Sequence, residues 1–127
     1  MDYHDGDGQN LINRWYESQD DKVKAHFHYV LNEVAVTREL DDSPSFNRLK
    51  YRHIGLFTIR FEVIEGGKKR QFRPVGFWKL NSNELILVDG CEKSGRFTIP
   101  PGVYETALQI QLEYYTEGKG MIYEHSF

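Results

Sequence analysis

Cysteine is almost missing from this chain: Cys91 stands alone among 127 residues, so no internal disulfide is possible. A cytoplasmic protein, in a compartment that keeps thiols reduced, is the expectation. Long apolar runs are also missing. No stretch approaches the roughly 20 residues that a membrane-spanning helix needs, and the N-terminus MDYHDGDGQN lacks the charged-then-apolar layout of a signal peptide. Metal-binding spacings are absent too. The five histidines are scattered, there is no HExxH and no cysteine pair, and His26 and His28 cannot share one helix face at a spacing of two. Asp5-Gly6-Asp7-Gly8 opens like a calcium loop but lacks the glycine and glutamate such a loop requires, so it reads as a polar turn. Gly66-Gly67-Lys68-Lys69 precedes no helix that could offer amides to a phosphate. No Ser/His/Asp arrangement can be assembled. Neither metal nor cofactor is expected.

What is present is a strongly uneven distribution of charge. Residues 1–46 hold 10 acids and 4 Lys/Arg, residues 47–79 hold 9 Lys/Arg against Glu62 and Glu65, and residues 80–127 hold 7 acids and 3 bases. The net of −3 thus conceals a basic block inside an acidic chain, which points to a local anionic partner. Apolar residues at 39% and aromatics at 14% argue against disorder, and the length suits one domain over 1–127 whose last stretch, 118–127, forms a C-terminal tail.

Periodicity gives an α+β order. A short helix is expected over Leu11 to Ser18, with Trp15 and Leu11 or Ile12 facing inward. Residues 20–39 carry Val23, Phe27, Val30, Leu31 and Val34 at helical spacing, opened by Asp20 and Asp21. Ser43-Pro44-Ser45 ends the helical region. From Gly55 the period becomes two: Phe57, Ile59, Phe61 and Val63 form a half-buried strand that Gly66-Gly67 turns into a hairpin. A second strand covers Gln71 to Lys79, and Pro74 within it implies an edge or a bulge. After a turn at Asn81-Ser82-Asn83, Glu84 to Cys91 reads as a central strand. Pro100-Pro101 opens a last helix carrying Val103, Ala107, Leu108, Ile110 and Leu112, which Gly118 stops. The architecture expected is two N-terminal helices, a three-stranded antiparallel meander and a C-terminal helix, with a further weak strand near Tyr3.

Alternation along these strands brings several cations to one side of the sheet. Arg60 and Arg73 fall on paired strands, and Lys93 and Arg96 just beyond the end of the third. An anionic backbone is the natural ligand, and RNA the first candidate. RNA can be cut without metal because its 2′-OH attacks the adjacent phosphate. The protein then needs only to position the strand, neutralise the phosphate and assist proton transfer. Arginine binds two phosphate oxygens at once, and tyrosine can stack on a base or pass a proton.

The ordered set Trp15, Leu49-Lys50, Gly55-Leu56-Phe57-Thr58-Ile59-Arg60, Phe72-Arg73-Pro74-Val75-Gly76-Phe77-Trp78, Ile86 through Lys93, and Thr98-Ile99-Pro100 through Ala107 resembles the RelE/HigB-type toxins of type II toxin–antitoxin systems, in their phage-derived Gp49-like branch. The resemblance covers nearly the whole chain. It implies a RelE-like fold and a metal-independent mRNA endoribonuclease, often working on the ribosome. It also implies a co-encoded antitoxin partner, typically a helix-turn-helix protein. By the same resemblance Arg60, Arg73, Lys93 and Tyr104 are the expected catalytic residues, with Lys50 and Arg96 binding substrate. The chain departs from the pattern in its acidic balance, in Pro74, and in Ser94 after Lys93. Its tail with Met121, Ile122, Tyr123, His125 and Phe127 also runs past the usual end. Two rivals follow. One is an inactive protein-binding module of the same fold, using exposed Tyr114, Tyr115 and Tyr123. The other is a toxin against another target such as DNA gyrase.

Overall fold

Each N-terminal helix starts where a short polar side chain can satisfy an orphan amide. In the computed structural model, which describes residues 2–4, 10–37, 39–79, 82, 84–117 and 121–123, helix α1 spans Leu11–Glu17 and Asn10 accepts from the Asn13 N–H at 2.9 Å. Helix α2 spans Asp21–Val36, and Asp20 accepts from the Val23 N–H at 3.0 Å. Of the apolar stripe on α2, Val23, Phe27, Val30 and Val34 are buried and Leu31 is half-buried. Among the described residues no helix is long and apolar enough to cross a membrane.

The strands are β1 (Asp2–His4), β2 (Phe46–Arg48), β3 (Leu56–Ile59), β4 (Phe61–Glu65), β5 (Lys68–Phe72), β6 (Val75–Trp78), β7 (Leu85–Asp89), β8 (Glu92–Ser94), β9 (Phe97–Ile99) and β10 (Met121–Tyr123). They form two sheets, of order β10-β1-β7-β6-β3-β2 and β4-β5-β8-β9. Pairing is antiparallel except between β1 and β7. The weak strand near Tyr3 is β1, and part of the expected tail is its partner β10. His125, Phe127 and the Asp5–Gly8 stretch lie outside the described residues.

The three-stranded meander is therefore corrected. Each of its long strands is broken once, at Arg60, at Arg73-Pro74 and at Gly90-Cys91, and the breaks line up as a corner between the sheets. Hydrogen bonds bridge the corner: Arg73 and Cys91 exchange both backbone bonds at 2.7 and 3.2 Å, and the Ile59 N–H reaches the Pro74 carbonyl at 2.8 Å. Proline supplies only that carbonyl, so it fits where regular pairing lapses. The edge position expected for its strand is not found, because β5 and β6 are both interior. A register shift does follow at Val75/Gly76. Cys91, expected inside a strand, is in the break and fully buried.

Two cores explain why the sheets differ. α1 and α2 bury Ile12, Trp15, Val23, Phe27, Val30 and Val34 against Phe46, Phe57, Ile59, Phe61, Val63, Phe72 and Leu87, so they cover one face of both sheets. Trp15 lies so close over Gly90 that any side chain there would strike the indole. Helix α3 (Val103–Leu112) packs Val103, Ala107 and Ile110 on Leu56, Val75, Phe77, Ile86, Val88 and Cys91, the opposite face of the six-stranded sheet. It stops short of the four-stranded sheet, whose outer face stays open: Glu62, Ile64 and Lys69 are exposed. The helix starts later than the prolines suggest, because Gly102 at φ 77° forms its N-cap and Pro100-Pro101 precede it. After Leu112 a π-helical turn, Glu113–Glu117, continues the chain. Tyr114 and Tyr115 are half-buried against Phe77 at 5.6 Å each, which removes two of the three tyrosines expected to be exposed for a partner.

Candidate functional site

The corner places two arginines opposite each other on adjacent strands. Phe61 pairs with Phe72, and one step further along the same ladder Arg60 lies beside Arg73. Neither forms an ion pair among the described residues. Arg60 is exposed and Arg73 half-buried. The Arg73 guanidinium donates to the Phe72 carbonyl at 2.9 Å and to Gln71 Oε1 at 3.0 Å, which fixes its plane. Burial, then the Arg60 charge beside it, lowers its pKa from the usual guanidinium value, while Tyr104, Cys91 and Glu62 act the other way. A guanidinium in this situation still stays charged at neutral pH. Two like charges held together with the Glu62 charge nearby, but with no ion pair to a carboxylate among the described residues, are an arrangement that a phosphate relieves.

The start of α3 closes one side of this pair. Tyr104, in its first turn, is half-buried. Burial pushes its hydroxyl up to about 12, with the neighbouring Cys91 adding to the rise. It is therefore a neutral phenol, a donor and not a base. Cys91 is pushed up to about 11, by burial first and then by Asp89. Its Sγ–H donates to the Arg73 carbonyl at 3.4 Å, so this thiol tightens the corner.

His53 comes to the same place from the loop between β2 and β3, a residue that sequence reading passed over. Its ring meets the Tyr104 ring edge-on with centroids 5.2 Å apart, and its Nε2 lies 3.2 Å from Glu105 Oε1. Glu105 is lowered below the usual carboxylate value by its own backbone N–H and then by His53. An imidazole can accept a proton through a ring nitrogen, which a guanidinium cannot. The only sequence signal for His53 is its setting, Lys50-Tyr51-Arg52-His53, an aromatic and a histidine among cations just before a strand.

The remaining expected residues are spread around this centre. Lys93 lies beyond the end of β7, but in a further strand, β8, opposite Gln71 of β5 and Thr98 of β9. Alternation puts it on the open face together with Gln71 and Lys69. Arg96 is exposed in the turn between β8 and β9, and Lys50 is exposed just before the 3₁₀ turn Tyr51–His53. No hydrogen bond or ion pair among the described residues joins Lys50 or Arg96 to the arginine corner. Other cations of the basic block are committed elsewhere. Arg70 pairs with Glu92 at 2.7 Å and Glu65 at 3.4 Å, and Arg48 pairs with Asp41 at 2.7 Å and lies 4.7 Å over Trp78. Among the described residues the block is thus sorted into cations paired with carboxylates and a set that forms no ion pair, Arg60, Arg73 and Lys93. Among the described residues no three His, Cys, Asp or Glu side chains are grouped to hold a metal ion. No protein-family model, curated protein or solved structure matches this chain.

Proposed function

We propose that this chain is a toxin of the RelE/HigB type, a metal-independent mRNA endoribonuclease of the cytoplasm held in check by an antitoxin. The observation that carries the reading is the placing of Arg60 beside Arg73 at the strand corner, where neither forms an ion pair among the described residues although Glu62 acts on Arg73, with Tyr104 beside them and His53 against Tyr104. In this reading the scissile phosphate lies on the two guanidinium groups. His53 takes the proton of the 2′-OH, whose oxygen forms a bond to phosphorus. The bond from phosphorus to the 5′-oxygen breaks, and the neutral Tyr104 hydroxyl gives that oxygen a proton. The products are a cyclic phosphate and a 5′-OH. Arg60 and Arg73 stabilise the added charge of the pentacoordinate phosphate, an effect worth about 3–4 kcal/mol per donor in comparable sites. Lys93 and Lys69, on the open face, carry the flanking phosphates.

Inducible expression in a bacterium with mapping of mRNA 5′ ends tests this. Wild type should arrest growth and create new ends. The Arg60→Ala/Arg73→Ala double variant should remain folded, as judged by circular dichroism, and lower cleavage by at least about a hundredfold. Normal growth and unchanged ends at high levels of folded wild type would count against the nuclease. A protein-binding module of the same fold is the second reading. It is favoured by the edge strand β9, where Phe97 and Ile99 are 75% and 55% exposed.

A further inference from the structure

The tip of the hairpin between β2 and β3 holds an aromatic residue in a costly backbone state. Tyr51 has φ 59°, and among the described residues it is the only non-glycine with positive φ. Bulky side chains avoid this left-handed region because Cβ crowds the carbonyl; glycine or asparagine would adopt it readily. Burial does not compensate, since Tyr51 is 88% exposed. Nor is the tip loose. The Leu49 N–H donates to the Leu56 carbonyl at 3.0 Å, the His53 N–H to Lys50 at 3.2 Å and the Ile54 N–H to Tyr51 at 3.3 Å. From α3, Gln111 Nε2 donates to the Gly55 carbonyl at 3.1 Å, and Glu105 holds His53 at 3.2 Å. A strained backbone maintained by its surroundings, with the ring left in water, marks a position selected for something other than packing.

We propose that Tyr51 is a base-stacking platform: its exposed ring takes one unpaired nucleobase of a single-stranded RNA whose phosphates lie on Arg60 and Arg73. The proposal rests on the RNA reading given above and adds the residue that holds the base. Lys50 and Arg52 flank the ring and are exposed, so they suit the phosphates on either side of a stacked base. Two residues on, His53 touches Tyr104, on which the Arg73 and Arg60 charges act, so the tip is tied through these rings to the arginine corner. Every base offers a π-face, so a single ring binds without demanding a sequence. The fixed backbone keeps that ring presented before the ligand arrives.

The test uses a short unstructured 2′-O-methyl oligonucleotide, which cannot be cleaved, carrying a 2-aminopurine base. Affinity is read by anisotropy and stacking by fluorescence quenching. Wild type should bind with quenching, Tyr51→Ala should lose the quench and bind about tenfold more weakly, and Tyr51→Phe should stay within about twofold of wild type. Tyr51→Gly, which relaxes the backbone, should melt at a higher temperature yet bind as poorly as Tyr51→Ala. Binding that is abolished by Arg60→Ala/Arg73→Ala but untouched by Tyr51→Ala would overturn the platform and leave the RNA reading standing. No binding by wild type would overturn both, and binding of an apolar peptide at the tip in place of RNA would do the same.

Discussion

Residue by residue, the chemistry here follows from what each group loses on leaving water. Asp89 shows the sign of such an effect. Burial raises its pKa above the ordinary carboxylate value, with the Gly90 N–H and Arg14 offsetting only part of the rise. A raised acid binds its proton more tightly when folded than when unfolded. Stability is therefore lost as pH climbs from the unfolded value through the raised folded one, and the penalty persists at neutral pH. Asp89→Asn keeps an acceptor for the Gly90 N–H, now 2.8 Å from Asp89 Oδ1, and carries no charge. It should be more stable than wild type at pH 7 in urea denaturation, with the gain fading as the pH falls through the carboxylate range. A gain independent of pH would refute the electrostatic account. The two arginines were visible from alternation alone, because their strands keep a period of two up to the break. His53 was not, since its neighbour Tyr104 lies 51 positions away and a loop residue has no periodicity to betray its direction.

At the level of elements, the break in each long strand is what makes the site. The four-stranded sheet is covered on one face only, so its stability depends on the aromatic layer under α1 and α2. Phe72 stacks on Phe61 at 5.2 Å and meets Trp15 edge-on at 6.4 Å, and it is fully buried. Phe72→Ala should cost about 3–5 kcal/mol, a large share of the roughly 5–15 kcal/mol that holds a domain together. Because Phe72 neighbours Arg73, the variant should also lose the guanidinium alignment; urea denaturation and RNA affinity measured side by side would show both. A loss below about 1 kcal/mol would mean that the aromatic layer collapses to fill the space. The start of α2 was legible because capping is local, as Asp20 illustrates. The late start of α3 was not, because proline marks only where a helix can begin, and Gly102 decided where it did.

For the whole molecule, the negative net charge and the cationic corner coexist because the fold separates them. Arg70 and Arg48 are absorbed by carboxylates, whereas among the described residues Lys93 and Lys69 face the open side of the four-stranded sheet and Arg60 and Arg73 stand at its corner. If these cations hold RNA, log affinity should fall against log salt with a slope of about −3, as about four phosphate contacts to a single strand require. Arg60→Ala/Arg73→Ala should reduce that slope by about 1.4, while Tyr51→Ala should leave it unchanged. Anisotropy titrations over a range of salt concentrations decide this, and a slope near zero would exclude the cationic face as the binding surface. The sequence by itself determined the two N-terminal helices, the hairpin at Gly66-Gly67 and the alternation that aligns the cations, because capping, turn geometry and strand period act over a few residues. Only the tertiary structure decided that the meander folds at a corner, that Tyr114 and Tyr115 turn inward, and that His53 meets Tyr104. Those outcomes depend on which distant surfaces pack together, and no local pattern encodes that choice.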